Sequence, residues 1–304
     1  MTILVGTASW TDKSLIESGK FYPRDATTPE ARLRYYARQF PLVEIDSSYY
    51  GIPFPATAQL WAERSPPDFV FNVKAFRLFT GHQTLPKVFP RDIQEELGLP
   101  LTKNIYYHDI PAEIRRELWN RFFDALDPLR RTGKLGAVHF QFAPWITSGG
   151  EARKHVEHCV STMNGLLMAV EFRNSSSWTD KTRDSTLAFE REHRVVNVVV
   201  DGPQGFGSSV PSVWEVTSPE LAIVRMHGRN AETWEKKGLK ASSDRFNYDY
   251  SEEELRELAA KVHALAAQVP TVHAIMNNNN QDQGQRNAKT LMSALQNLQP
   301  QSGT

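Results

Sequence analysis

Cysteine is almost missing from this chain: Cys159 is the only one in 304 residues. An internal disulfide needs two thiols and a cysteine-based zinc cluster needs more, so both are excluded. Net charge is missing as well, with 35 Lys+Arg against 35 Asp+Glu and a pI of about 7.1. No global field therefore draws the chain toward nucleic acid or an anionic membrane. No apolar run approaches the length that spans a bilayer. MTILVGTASW passes straight into a strand pattern, without the basic and apolar regions of a secretion signal. A cytoplasmic protein with no membrane partner is expected. Nucleotide signatures are lacking too. GFG at 205–207 has no helix after it, and RRTGK at 130–134 lacks the upstream glycine of a P-loop. His155 and His158 stand three apart with no His-Glu-x-x-His pattern around them.

What is present is a rhythm of short β-branched runs and helical stretches. Strands are predicted at 3–9, 42–46, 69–75, 135–142, 167–173, 195–201, 221–227 and 271–277. Helices are predicted at 29–40, 112–131, 151–163, 178–193, 251–267 and 286–298, the fifth opened by a Ser251/Glu254 capping box. Strands alternating with helices in one domain-sized chain predict an α/β fold, a single-domain (β/α)8 barrel over residues 1–298 with a flexible tail at 299–304. The Gly-, Pro- and Ser-rich stretch 202–216 predicts a short or missing helix after the sixth strand. A doubly wound open sheet is the alternative; TASWTDKS after the first strand, rather than a glycine-rich turn, argues against it.

Parity along these strands points to a site. In LVEIDSSYYG, at 42–51, Glu44 and Asp46 share one face and Val43 and Ile45 the other. The same count pairs Asn72 with Lys74, His139 with Gln141, Glu171 with Arg173, and Arg225 with His227; Asp201, Asn277 and Asn278 stand at strand ends. Helices outside a barrel require the apolar face, so the polar set is predicted to face the axis near the C-terminal mouth, where barrel enzymes build their sites. A charge-balanced interior network without chemistry is the plainer reading of the same residues.

These stretches resemble a known family. GTASW (6–10), FYP (21–23), RYYARQFPLVEIDSSYYGIP (34–53), FVFNVKA (69–75), FQFAPW (140–145), VEFRNSSSW (170–178), VRMHGRN (224–230), YDYSEEEL (248–255) and MNNNN with Asn287-Ala288 are similar to the YecE-like family, domain of unknown function 72. The resemblance implies a TIM-type barrel and carries no established reaction. It also implies two departures. Asn174 stands where relatives commonly have His, which puts an acid–base role there in doubt. Residues 82–111 look like an insertion after the third strand, either a lid or rim over the mouth or a surface elaboration.

The residue types favour an enzyme acting on a polar anionic or sugar-like molecule, by hydrolase, lyase or isomerase chemistry. Arg173 and Arg225 would clamp phosphate or carboxylate. Glu44 or Glu171 would be a general base, its pKa lifted by burial and the neighbouring acid. His227 would shuttle a proton near neutrality, and Lys74 would be an electrostatic partner of Glu44. Asp46, Gln141, Asp201, Asn277 and Asn278 would hold polar groups of the substrate, with Trp10, Tyr49, Tyr50, Trp178, Trp234 and Tyr248 as an aromatic wall. No cofactor is predicted. The acids and His227 suit a divalent metal, but the neighbouring cations oppose one. Two alternatives stay open: nucleic-acid or nucleotide handling, by analogy with apurinic-endonuclease-type barrels, and a small-ligand binding protein without turnover. Nothing in the sequence sets an oligomeric state.

Overall fold

Parallel strands need both faces covered, and here helices cover the outer face while inward side chains fill the cylinder. The computed structural model describes residues 1–163, 165–236, 238–239 and 242–298. Its strands are β1 (Thr2–Ala8), β2 (Leu42–Ile45), β3 (Val70–Lys74), β4 (Leu135–Gln141), β5 (Met168–Glu171), β6 (Val196–Asp201), β7 (Leu221–Met226) and β8 (Thr271–Met276). All pair in parallel and in sequence order, and β8 closes on β1 to complete a (β/α)8 barrel. The helices are α1 (Lys13–Ser18), α2 (Pro29–Ala37), α3 (Ser47–Tyr50), α4 (Pro55–Glu63), α5 (Arg91–Leu97), α6 (Ala112–Arg131), α7 (Gly150–Thr162), α8 (Arg183–Glu192), α9 (Glu252–Ala266) and α10 (Gln283–Leu298). The connection from β6 to β7 carries no helix, as its composition predicts. The tail expected at 299–304 lies outside the described residues.

Two apolar layers hold the barrel. Between strands and helices pack the outward residues, among them Val43, Phe71, Phe140, Val224 and Met276 with Tyr36, Phe122 and Leu258 from the helices. Inside the cylinder, Leu42, Ala137, Ala169 and Ile223 form a second cluster. Each stands two residues before Glu44, His139, Glu171 and Arg225 respectively, so the same inward faces turn from apolar to ionic as the strands rise. The α9 capping box forms: Ser251 Oγ accepts from the Glu254 amide at 3.2 Å, and the Glu254 carboxylate accepts from the Ser251 amide at 2.9 Å. At Gly6 a Cβ would come within 2.0 Å of the Leu42 carbonyl oxygen, so the approach of β1 to β2 requires a residue without a side chain.

Residues 82–111 follow β3 and contain α5 between two 3-10 turns, Pro86–Val88 and Tyr107–Asp109. A bridge from Thr84 to Ile105 ties their two ends. Phe89, Ile93, Ile105, Tyr107 and Ile110 are buried in the outer apolar layer. Tyr107 fastens the segment to two neighbouring helices: its Oη accepts from Trp119 Nε1 of α6 at 2.9 Å and meets His158 Nε2 of α7 at 2.7 Å.

Candidate functional site

Four strands contribute to one ionic cluster in the barrel interior. Arg225 of β7 spans it, with Nη2 donating to Glu44 Oε1 of β2 at 2.7 Å and Nη1 donating to Glu171 Oε2 of β5 at 2.6 Å. Both carboxylates and the guanidinium are completely buried. His139 of β4 lies between the acids, its Nδ1 3.0 Å from Glu44 and its Nε2 3.3 Å from Glu171. Neither approach has hydrogen-bond alignment, so His139 is close to both without being bonded to either. Gln141 Oε1 accepts from Arg225 Nη1 at 3.3 Å.

Above this layer Lys74, Arg173 and Asp46 become partly accessible, while His227 stays buried. Arg173 Nη1 donates to Glu171 Oε1 at 3.1 Å while its guanidinium lies 5.4 Å over the Trp234 ring. Lys74 Nζ pairs with Asp46 at 2.9 Å and sits 4.9 Å from the centre of the Tyr49 ring. His227 Nε2 is 3.5 Å from Glu171, its Nδ1 is 2.8 Å from Asn277 Nδ2, and Phe246 faces its ring at 5.8 Å. Side-chain exposure rises from 0–1% at Glu44, Glu171 and Arg225 to 10% at Lys74, 14% at Arg173 and 28% at Asp46.

The electrostatics reverse three sequence expectations. Burial pushes the Glu44 carboxyl up, but the Arg225 guanidinium, with His139 and Lys74, outweighs it and holds Glu44 below the usual carboxylate range. Burial is likewise overcome at Glu171 by Arg225 and His227. Neither acid is the lifted base expected from the sequence, because the guanidinium between them replaces the carboxylate–carboxylate repulsion that would raise a pKa. Burial also lowers His227 to about 4 despite the pull of Glu171, so its ring is neutral at pH 7 rather than poised there. At Lys74 burial is outweighed by Asp46, and the ammonium is held above its ordinary range. The principal partner of Lys74 is thus Asp46 rather than Glu44.

Other expected members stand elsewhere. Asp201 shares its face with Met226, its register partner, and so points away from the axis. Its carboxylate accepts from Arg229 Nη2 at 2.8 Å and Tyr250 Oη at 2.6 Å. Asn278 turns from the mouth, donating to the Tyr248 carbonyl at 2.8 Å and Asn287 Oδ1 at 2.6 Å. Trp10 is buried edge-on to Trp61 and to the outward Phe71, at 5.9 and 6.4 Å. Trp178 packs on Phe172, also outward, at 6.1 Å. Of the expected aromatic wall Tyr49 and Trp234 stand beside the cluster, joined by Phe246. Arg77, 5.3 Å from the centre of the Tyr49 ring, was missed; its signal was a second basic residue three positions after Lys74, just past the end of β3. Among the described residues no grouping of three or more His, Cys, Asp or Glu is arranged to hold a metal ion.

The family described as "Protein of unknown function DUF72" matches residues 4–303. The chain belongs to the DUF72 family. It is 30% identical over 295 residues to the UPF0759 protein YunF of Bacillus subtilis, covering 96% of this chain and 94% of that protein. A crystal structure of a DUF72 family protein from Enterococcus faecalis superposes with a TM-score of 0.79 at 26% identity, over 98% of this chain and 97% of the other. One from Thermotoga maritima gives 0.74 at 26% identity, over 97% and 100%. In this DUF72 barrel Asn174 caps the 3-10 turn Ser175–Ser177: its Oδ1 accepts from the Ser176 amide at 2.9 Å and its Nδ2 donates to the Pro144 carbonyl at 2.6 Å. No helix among the described residues is long and apolar enough to cross a membrane.

Proposed function

We propose that the C-terminal mouth of the barrel takes a small molecule bearing phosphate or carboxylate, a sugar phosphate being one such, and acts on it by acid–base chemistry. The observation that carries this reading is the layering of charge. The sealed lower layer holds two carboxylates against one guanidinium, and the accessible upper layer presents Lys74 and Arg173 against Asp46 alone. An entering anion therefore meets an excess of cation first, and the low-dielectric barrel beneath strengthens the attraction.

Glu44 and Glu171 then act as positioning residues. A carboxylate held below its ordinary range is a weak proton acceptor, and both are covered by Arg225, so their work is to aim Arg225 and Arg173. The proton-transfer groups are Lys74, kept charged by Asp46, and His227, which is neutral until an anion binds. Negative charge beside an imidazole raises its pKa, so the ligand itself brings His227 toward the range in which it accepts a proton.

Calorimetric titration with inorganic phosphate and a panel of sugar phosphates tests the reading. Arg173→Gln is expected to weaken phosphate binding at least about tenfold, the lower end of what a charged hydrogen bond is worth. Parent-like affinity in both Arg173→Gln and Lys74→Gln, or no binding of any of these anions by the parent protein, refutes it. Binding without turnover is the second reading, favoured by the sealing of both carboxylates under Arg225. Phosphorus NMR of a bound sugar phosphate that stays unchanged on long incubation would select it.

A further inference from the structure

A cleft of about 960 Å³ opens on the flank of the barrel between the 82–111 segment and helices α6 and α7. This is within the size of small-molecule sites. Trp145 stands at its edge with 50% of its surface exposed, yet it is held in place. Its Nε1 donates to the Gly81 carbonyl at 3.0 Å, and its ring meets His82 and Tyr106 edge-on at 5.7 and 6.5 Å. Tyr106 is itself pinned by Gln83, whose Nε2 donates to the phenol oxygen at 2.6 Å. An exposed indole immobilised in advance has already lost the freedom that binding would otherwise remove.

The α6 wall carries Arg115 and Arg116, and among the described residues neither forms an ion pair; Arg115 lies 5.0 Å over the Tyr107 ring. Lys154 of α7 adds a third cation, shared with Glu151 at 2.8 Å. An aromatic shelf beside two uncompensated guanidinium forks suits a ligand that is flat at one end and anionic at the other. An apolar ligand would leave the arginines unused, and a bare anion would leave the indole unused.

We propose that this flank cleft binds a nucleoside phosphate, its base stacked on Trp145 and its phosphate held by Arg115 and Arg116. The site is separate from the barrel mouth: none of Asp46, Lys74, Arg173 and His227 lines the cleft. Nothing in it depends on the reading of the mouth.

Calorimetry at low salt with AMP and ATP tests this, with adenosine and inorganic phosphate as the two half-ligands. AMP or ATP is expected to bind more tightly than either half. Trp145→Ala should weaken that binding about tenfold, near the lower end of one base–aromatic stack. The double variant Arg115→Gln/Arg116→Gln should weaken it by a similar factor, and Trp145→Phe should keep part of it, which guards against a misfolded alanine variant. The Trp145-dependent part of AMP binding should persist in Arg173→Gln, which alters only the mouth. The proposal is overturned if neither AMP nor ATP binds. It is equally overturned if binding falls in Arg173→Gln but not in the cleft variants, which places the ligand in the mouth. A dimer in light scattering that Trp145→Ala converts to monomer would make the cleft a contact between copies of the chain, and would overturn it too.

Discussion

Replacing Arg225 with methionine keeps most of the side-chain volume and removes the cation lying 2.7 Å from Glu44 and 2.6 Å from Glu171. Both carboxylates would then be buried with no guanidinium between them. Breaking a buried ion pair from one side costs about 3–5 kcal/mol, and two acids are stranded here, so the upper part of that range is expected. For a barrel of this size that is a fall in melting temperature of about 6–10 °C. The pH dependence carries the sharper signature. In the parent, Glu44 and Glu171 are held below their unfolded values. Their contribution is thus fully present above the unfolded carboxylate range, about pH 5 and higher, and is lost as pH falls through and below it. Without Arg225, burial pushes the same carboxyls up, so the variant should lose stability relative to the parent as pH rises from about 5 to 8. Urea unfolding at three pH values across that window measures both. Glu44→Gln/Glu171→Gln/Arg225→Met should recover much of the loss, since no buried charge of the triad remains. The reasoning fails if Arg225→Met stays within about 1 kcal/mol of the parent at pH 8, or if its deficit is the same at both ends of the window.

Three further outcomes are expected. Glu190 of α8 is buried with neither carboxylate oxygen hydrogen-bonded, and burial outweighs Arg191 and Arg153 to push its pKa well up. A raised acid stabilises the fold at low pH and loses that contribution as pH rises above the unfolded value. Glu190→Met should therefore raise the melting temperature by about 2 °C or more at neutral pH, with a gain that narrows toward pH 5; scanning calorimetry showing no gain refutes it. Asp201→Asn should cost about 1–3 kcal/mol by weakening the Arg229 and Tyr250 contacts, yet leave phosphate affinity at the mouth unaltered, and a fall in that affinity would return Asp201 to the site. Gly6→Ala should give little soluble protein, because its Cβ would lie 2.0 Å from the Leu42 carbonyl; a parent-like melting curve would contradict that.

Strand positions were legible to within two or three residues because β-branched runs and their helical neighbours differ in period. Facing was legible wherever polar and apolar residues alternate, as in LVEI and MAVE, where the acids do turn inward. It failed at Asp201. The run Val196–Val200 is apolar at almost every position, so only the pairing of Val200 with Arg225 and Asp201 with Met226 reveals which way the strand faces. Protonation was not legible either. Arg225 lies 181 residues from Glu44 and 54 from Glu171, and no local pattern says that one guanidinium comes to rest between them. The helices α1, α3, α4 and α5 escaped notice because nine residues or fewer establish a helical period poorly. The Trp145 shelf was hidden for a different reason: it depends on how the segment after β3 folds back beside α6 and α7.

The buried triad also sets an order of events during synthesis. Glu44 leaves the ribosome long before Arg225 exists, so a nascent sheet built from the first four strands holds this acid without its guanidinium partner and must keep it hydrated. Only when β7 arrives can that water be expelled. The cylinder is therefore sealed late, by an internal ionic latch, and a chain truncated before residue 225 should remain an open, wet sheet rather than a smaller version of the finished barrel.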